Sequence, residues 1–444
     1  MEPWWRTTTA KVLGVGLLAL LMTIPLAQVN ALVGERQALR TAAVAQVAQG
    51  WGGRQVLGGP VLVVPTRMLA TPPGQAPQWR AGSETVLADS LSFDVAMATA
   101  TRGYGMYKVP VYVATVNLAA SFRAEDLAQY RAASDAEWLG GKAVLRLPLG
   151  DLRGLREVDV RVNGRPVRVD SSADRFGEWP TVVLPLDLAA LGGQPVQVTA
   201  RLTLAGTEAL DFLPLARSTD LALRAPWRDP SFVGAALPLT HAIDAQGFRA
   251  HWHLLDLNRS YGQHWNEHDE AVRQALPGSS FGVALYQPVD VYQRNVRAGK
   301  YGLLFVALSF VVFFLFEVLK KLRVHPVQYL LVGAALATFY VVLLALSEQL
   351  GFDAAYALAA LAVSLIVGGY AAAVLRARRA GALLGGVLGL VYAMLYGLIA
   401  AEQYALLAGA LVLLATVALL MYLTRRIDWY AAAALPPAAI MERP

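Results

Sequence analysis

Residues 301–333 read YGLLFVALSFVVFFLFEVLKKLRVHPVQYLLVG. An uncharged apolar run from Tyr301 to Phe316, extending to Leu319 past Glu317, gives way to Lys320, Lys321 and Arg323. After His325-Pro326 a second apolar run begins. About 20 apolar residues in a helix cross the roughly 30 Å of bilayer hydrocarbon. The stretch therefore reads as two membrane spans joined by a basic turn, with Pro326 placed to start the second. Working outward, the same test finds spans at Val12–Val33, Val327–Leu346, Ala354–Leu375, Ala380–Ala401 and Tyr404–Thr424. The expected class is an α-helical membrane protein with six transmembrane helices, one at the front and five in the C-terminal third.

Composition agrees. The chain of 444 residues is 56% hydrophobic and 16% charged, with a formal net charge of +6. Soluble domains carry about 25% charged residues. The absence of cysteine excludes disulfide frameworks, thiolate zinc sites, Fe–S clusters and cysteine nucleophiles.

Lys and Arg counts in short loops set orientation. Basic clusters follow the second span (Lys320, Lys321, Arg323), the fourth (Arg376, Arg378, Arg379) and the sixth (Arg425, Arg426), while Arg6 and Lys11 precede the first. The alternate loops hold Glu348 with Asp353, and Glu402, without Lys or Arg. Both termini are expected in the cytoplasm and residues 34–299 outside. The domain reading is 1–33 cytoplasmic N-terminus and anchor helix, 34–299 extracytoplasmic domain, 300–430 five-helix bundle and 431–444 cytoplasmic tail. The positive charge thus reports membrane orientation, and no nucleic-acid partner is expected. Val29-Asn30-Ala31 resembles a signal-peptidase site, but the apolar stretch is long for a signal peptide and Gly34–Ala48 continues it as an amphipathic segment. An uncleaved anchor is the reading adopted.

Residues 34–299 change period. Val109–Leu118, Leu155–Val162, Val196–Leu204 and Phe248–Leu254 alternate apolar and polar, and Asn163-Gly164 supplies a two-residue hairpin turn towards Val167 and Val169. A large mainly-β, sandwich-like domain follows. Gln75–Glu84, rich in Pro, Gly and polar residues, reads as a surface loop.

Few residues point to chemistry. His264-Trp-Asn-Glu267-His268 fits H-x-x-E-H, in which two histidines one helical turn apart bind zinc and the glutamate acts as base. It sits in no helical pattern and has no third ligand, so it reads as a chance match. His251 and His253 share a strand face with Arg249, a solvated face and a poor site for a divalent cation. Intramembrane ionisable groups raise the functional question by default. Glu317 lies within one turn of Lys320 and Lys321, so pairing and snorkelling to the interface explain it. Glu348 and Glu402 fall at outer span ends within reach of headgroups. Gly381, Gly385, Gly386 and Gly389 suit close helix packing.

Several strings together resemble one family. Gly34-Glu35-Arg36, Trp51-Gly52, Gln55, Leu57 and Gly59-Pro60-Val61 are similar to the start of the CreD family of inner-membrane proteins. Pro230-Ser231-Phe232, Gly247–Trp252 and Phe281-Gly282 to Pro288-Val289-Asp290 continue the likeness, which is densest from Lys300 to Gly333. Leu346-Ser347-Glu348, Glu402, Tyr404–Leu407 and Thr424–Tyr430, with Arg425 and Asp428, complete it. Gln403 stands where the family more often has an acidic residue, and the segment around His264–His268 is one where the family varies.

The resemblance implies a bacterial inner (plasma) membrane protein of Gram-negative cells that maintains envelope integrity. It also implies induction through the CreBC two-component system and links to envelope-active toxins and β-lactam response. It implies no reaction and no cofactor. The expected function is non-enzymatic, with residues 34–299 periplasmic and contacting an unidentified envelope component, whether protein, glycan or lipid. Beyond the lipid bilayer and that component no partner is named, and the oligomeric state is open. The alternative is a transporter or lipid-handling protein using the helix bundle, with a periplasmic zinc hydrolase ranked third. Candidate functional residues are Glu317, His325, Glu348, Glu402, Arg425 and Asp428, with no catalytic, cofactor or metal residue nominated.

Overall fold

The computed structural model describes residues 8–70, 76–170, 174–267, 269–285, 291–319, 324–374, 377–400 and 405–425. The chain divides into two compact units, Met1–Leu39 with Val289–Pro444, and Arg40–Pro288.

The first unit is helical. It holds α1 (Thr8–Leu21) and the start of α2 (Thr23–Trp51). Pro25 has no N–H to offer the Leu21 carbonyl, and the helix breaks at Met22, where Thr23 Oγ1 donates to Leu20 O at 2.6 Å. Two helices of the other unit, α3 (Ala124–Ala133) and α4 (Glu270–Gly278), intervene in the chain. The helical unit then resumes with α5 (Val291–Lys300), α6 (Gly302–Leu319), α7 (Pro326–Leu350), α8 (Phe352–Val374), α9 (Arg378–Ala400) and α10 (Ala405–Thr424).

Among the described residues Leu13–Trp51, α7, α8 and α9 are long and apolar enough to cross a membrane, and α5 with α6 makes a fifth candidate bent by 48°. In α10 the apolar stretch is shorter, Gly409–Ala418. Residues 291–299, expected in the β-domain, form a helix of the bundle instead. Tyr292, Asn295 and Ala298 give α5 one buried face at helical spacing.

Glycines set the helix contacts. A Cβ on Gly299 would meet Asn30, one on Gly302 would meet Leu26, and one on Gly333 would meet Met22. Met22, Leu26 and Asn30 recur every four residues, so a single stripe running from the α1–α2 break into α2 lies against α5, α6 and α7. The front helix is thus packed into the bundle. Between α8 and α9, a Cβ on Gly381 would come within 2.6 Å of the Ala372 backbone, and one on Gly368 within 3.1 Å of Gly385. Of the four glycines expected to pack, Gly381 and Gly385 do so, while Gly386 faces open space.

The second unit is mainly β. Its largest sheet has eight strands in the order Thr240–Asp244, Gly247–Leu255, Ala216–Ala225, Ala88–Tyr104, Tyr107–Phe122, Val196–Thr207, Leu155–Val162 and Arg165–Pro166. All neighbours are antiparallel except Ala216–Ala225 beside Ala88–Tyr104. Asn163 (φ 48°) and Gly164 (φ 76°) form the left-handed two-residue turn read from the sequence.

A second sheet centres on Val61–Ala70 and a third on Ala209–Leu213 with Phe281–Leu285. One buried core contains residues of all three, including Phe93, Val116, Leu145, Leu184, Phe212 and Phe281. The second sheet's other face is covered by Val272 and Leu276 of α4. Of the expected loop Gln75–Glu84, Gln75 lies outside the described residues and only 76–77 are loop. Gln78–Val86 is a strand paired with Val61–Ala70 from Leu62 to Ala70, and its residues at 78–81 are exposed.

Gly381→Val forces a methyl group onto the Ala372 backbone and should lower the melting temperature of the detergent-purified protein by several degrees. Gly386→Val should leave it within a degree or so of the parent.

Candidate functional site

The six residues singled out from sequence do not converge. Glu317 is buried, 4% exposed, at the end of α6. Its carboxylate accepts the Val324 N–H (3.2 Å) and the Tyr329 hydroxyl (2.8 Å). Phe310 and Phe313 pack edge-on against the Tyr329 ring. The expectation that Glu317 snorkels outward is therefore corrected. The turn into α7 brings Tyr329 back over the carboxylate, which lies beside a helix N-terminus where negative charge is favoured. Lys320, Lys321 and Arg323 lie outside the described residues.

His325 is the N-cap of α7. Its Nδ1 accepts the Val327 N–H, and Gln328 Oε1 accepts the His325 N–H at 3.1 Å, a reciprocal capping box ahead of Pro326. Glu317 and His325 thus flank one helix start.

Glu348 sits in the last turn of the same helix, about 36 Å from Val324 at 1.5 Å per residue. It is half-buried and accepts the Tyr292 hydroxyl at 3.0 Å. Beside it the buried Asn295 donates to Ser347 Oγ (3.0 Å), and Arg294 and Tyr396 both reach Asp353 Oδ1 (2.9 and 2.8 Å). This polar seam depends on α5. Its signal in the sequence was the spacing of Tyr292, Asn295 and Ala298, which repeats every three residues.

Deeper in the bundle, Phe305, Phe339, Tyr356 and Tyr392 cluster with ring centroids 4.4–6.5 Å apart. The buried hydroxyls of Tyr340, Tyr392 and Ser364 have no hydrogen-bond partner among the described residues. Arg425 lies over the Tyr422 ring at 4.0 Å. Glu402 and Asp428 fall outside the described residues.

In the β-unit the zinc-like string is not helical. His264–Asn266 is a strand, so residues four apart do not share a helix face. His264 stacks on Tyr130 (4.7 Å) with Nε2 2.8 Å from Glu84, and the Glu267 carboxylate is taken by Ser83 and Arg146. His268 lies outside the described residues.

His251 and His253 do share an outward face, with Asp220 between them at 3.6 and 2.9 Å and Arg249 directed to Asp244. No group of three or more His, Asp or Glu among the described residues is arranged to hold a metal.

Sequence reading missed a polar knot where α2 enters the sheets. Gln55, fully buried, donates to the carbonyls of Asp151 and Ala205 (both 3.0 Å) and accepts the Asp151 N–H (3.1 Å). Arg54 binds the buried Asp211 at 2.7 Å, and this hydrogen bond raises the guanidinium pKa above its ordinary value. Burial would raise the Asp151 carboxyl, but hydrogen bonds from Arg153 and the Gly53 N–H outweigh it and hold it below the usual range.

Gly52 has φ 123°, and a Cβ there would meet Ala205 O at 2.5 Å, which only glycine avoids. Trp51 is held between Arg102 (4.7 Å) and Arg156 (5.4 Å), and its Nε1 donates to Tyr112 O. The Trp51, Gly52 and Gln55 string is thus a structural joint.

Several apolar helices together with a mainly-β unit define a membrane protein that carries a large mainly-β unit. The family model for "Inner membrane protein CreD" matches residues 7–430. "Inner membrane protein CreD" of Escherichia coli strain K12 is 32% identical over 416 residues, covering 93% of this chain and 91% of that one. The chain belongs to the CreD family of inner membrane proteins. A crystal structure from Parabacteroides distasonis ATCC 8503, described as a candidate protease, aligns with TM-score 0.23 and 8% identity. The alignment covers 69% of this chain and 58% of that one, and at this TM-score it carries no argument.

Gln55→Ala strands the buried Ala205 carbonyl and the Asp151 backbone, so thermal unfolding should show a loss of about 1–3 kcal/mol. The exposed Gln197→Ala should stay within about 0.5 kcal/mol. Because the folded Asp151 carboxyl titrates below its unfolded value, its stabilisation is complete at neutral pH and disappears on acidification. Asp151→Asn should therefore flatten the acid limb of the stability profile.

Proposed function

We propose that this CreD-type inner membrane protein contributes to cell-envelope integrity as a non-enzymatic protein. It has six spans, both termini in the cytoplasm and the mainly-β unit in the periplasm. The basic clusters that follow every second span support the orientation, and the description of the curated relative names a membrane protein and no reaction.

The observation that carries the role is the outward face of the eight-stranded sheet. Two cavities of about 360 and 530 Å³ adjoin there, sharing Ala222 and His251. Small side chains such as Ser92, Ala119 and Thr199 form the floor, and charges of both signs, among them Asp94, Asp159, Arg201 and Arg224, stand around it. A face with interleaved charge suits a protein partner carrying its own complementary pattern, because mixed charges fix register and reject mismatched surfaces.

A second reading, a transporter or lipid-handling bundle, is favoured by the buried Glu317 and by the hydroxyls of Tyr340 and Tyr392, which have no hydrogen-bond partner among the described residues. Polar groups inside a membrane are functional candidates by default.

A photoreactive residue in place of Ala119 should capture one defined envelope protein in cells. Capture of lipid or glycan alone would overturn the protein-partner reading. Glu317→Gln separates the two functions, since the amide oxygen can still accept the Val324 N–H while its NH2 donates to the Tyr329 hydroxyl oxygen. Cells carrying it should resist envelope-active agents like the parent. Loss of resistance with normal membrane accumulation would support the transport reading. A reporter fused near residue 200 and active only in the cytoplasm would defeat the orientation.

A further inference from the structure

Helix α3 lies on the sheets without burying any residue fully. Two side chains tie it down. Asp126 binds Arg217 at 2.9 Å, and the Tyr130 ring stacks on His264 at 4.7 Å. A helix on a globular body ordinarily turns its apolar stripe onto a core. Here the stripe Ala124, Leu127 and Ala128, with Arg131 one turn on, lines a cavity of about 240 Å³.

The cavity lies where the chain crosses between sheets. Helix α3 follows Tyr107–Phe122 of the eight-stranded sheet, and Trp138 pairs with Thr66 of the second sheet. Residues 188–194 lead from Trp179–Leu186 back to Val196–Thr207. Leu127, Trp138, Leu188 and Leu191 all pack against the main core and are only part-buried. The cavity takes the place of the layer that would cover them.

The wall opposite α3 is fixed as well. Asp187 Oδ1 accepts the N–H groups of Ala189 and Ala190 at 2.9 and 3.1 Å, and the Leu188 N–H donates to Gly140 O at 3.0 Å. A site held in this way needs little ordering when a ligand enters.

The charge of the lining has one sign. Exposed Arg131 is its single charged side chain, Gln194 adds an amide, and no Asp or Glu takes part. Among the described residues Arg131 makes no ion pair. The cavities of the outward sheet face differ, since charges of both signs surround them. Apolar walls with one cation beside them select a molecule that has an apolar body and one anionic end. The volume falls below the roughly 300–1,000 Å³ of drug-sized pockets, so the ligand is short.

We propose that this cavity binds a short-chain organic carboxylate. Its chain lies among Leu127, Leu188 and Leu191 beside Trp138, and its carboxylate meets the Arg131 guanidinium, whose planar donors match two carboxylate oxygens. The site is separate from the outward sheet face, and its ligand does not depend on the envelope role or the membrane orientation.

Full-length protein in detergent, irradiated with a diazirine-bearing pentanoate, should take label in peptides covering 124–138 and 188–194. Hexanoate should displace that label at a concentration at least about tenfold below hexanol, which has the same chain without the charge. Arg131→Gln should remove this preference for the anion, and Arg131→Lys should keep it. Ala128→Trp, at an exposed position of the lining, should fill the cavity and abolish the label. Each variant should melt within about a degree of the parent, because both sites are exposed. Equal displacement by hexanoate and hexanol would overturn the proposal. So would label that persists at both segments in Ala128→Trp, or label spread evenly along the chain.

Discussion

Hydrocarbon offers no hydrogen-bond partner, and the helical unit is organised around that constraint. A carboxylate, amide or hydroxyl placed there must find its partner within the protein or remain unsatisfied at a cost of several kcal/mol. Glu317 finds Tyr329 and the Val324 N–H, Asn295 finds Ser347, and Glu348 finds Tyr292. Each link ties the end of one helix to the neighbourhood of another, so the polar groups fix which termini meet. Association itself comes from close backbone approach at Gly299, Gly302, Gly333, Gly368 and Gly381, since helices gain little from apolar burial in an apolar solvent. The front helix belongs to this scheme because Asn30, Leu26 and Met22 fill the spaces that Gly299, Gly302 and Gly333 leave.

The helices and the main strands were legible because each rests on a local period. Apolar runs of about 20 residues survive any tertiary context, and strict alternation in Val196–Leu204 or Phe248–Leu254 has one good outcome when a single face is buried. The failures have tertiary causes. Gln78–Val86 looks like a loop because its residues are polar and prolines precede it, yet pairing with Val61–Ala70 supplies the whole ladder, and strand preference yields to such context. Residues 291–299 read as part of the β-domain because Arg294 and Arg297 mask a helical face only three residues wide.

Site legibility followed a similar rule. Sequence neighbours of Glu317 suggest lysine partners, which lie outside the described residues, and its carboxylate also accepts from a tyrosine twelve residues on, a contact visible only if the His325-Pro326 cap is recognised as starting a helix at once. The H-x-x-E-H string shows the reverse error. Its ligand geometry exists only in a helix, and strand pairing of His264–Asn266 with Glu84–Val86 removes that geometry before any metal enters the question.

The strings that carry the family resemblance are mostly joints. Trp51, Gly52 and Gln55 lock the entry to the sheets, Glu317 and His325 start α7, and Ser347 and Glu348 finish it. Their identity is set by fit and polar satisfaction, so likeness in these strings speaks to architecture before chemistry. One string behaves differently. In Gly247–Trp252 the alternate residues Phe248, Ala250 and Trp252 are buried in the core, whereas Arg249 and His251 stand at the cavities of the outward face. A strand cannot hold its core side chains in register without also fixing where its outward ones point. The same six residues therefore serve the fold on one face and position charge on the other. For this chain that outward face, rather than the joints, is the place where structure can become recognition.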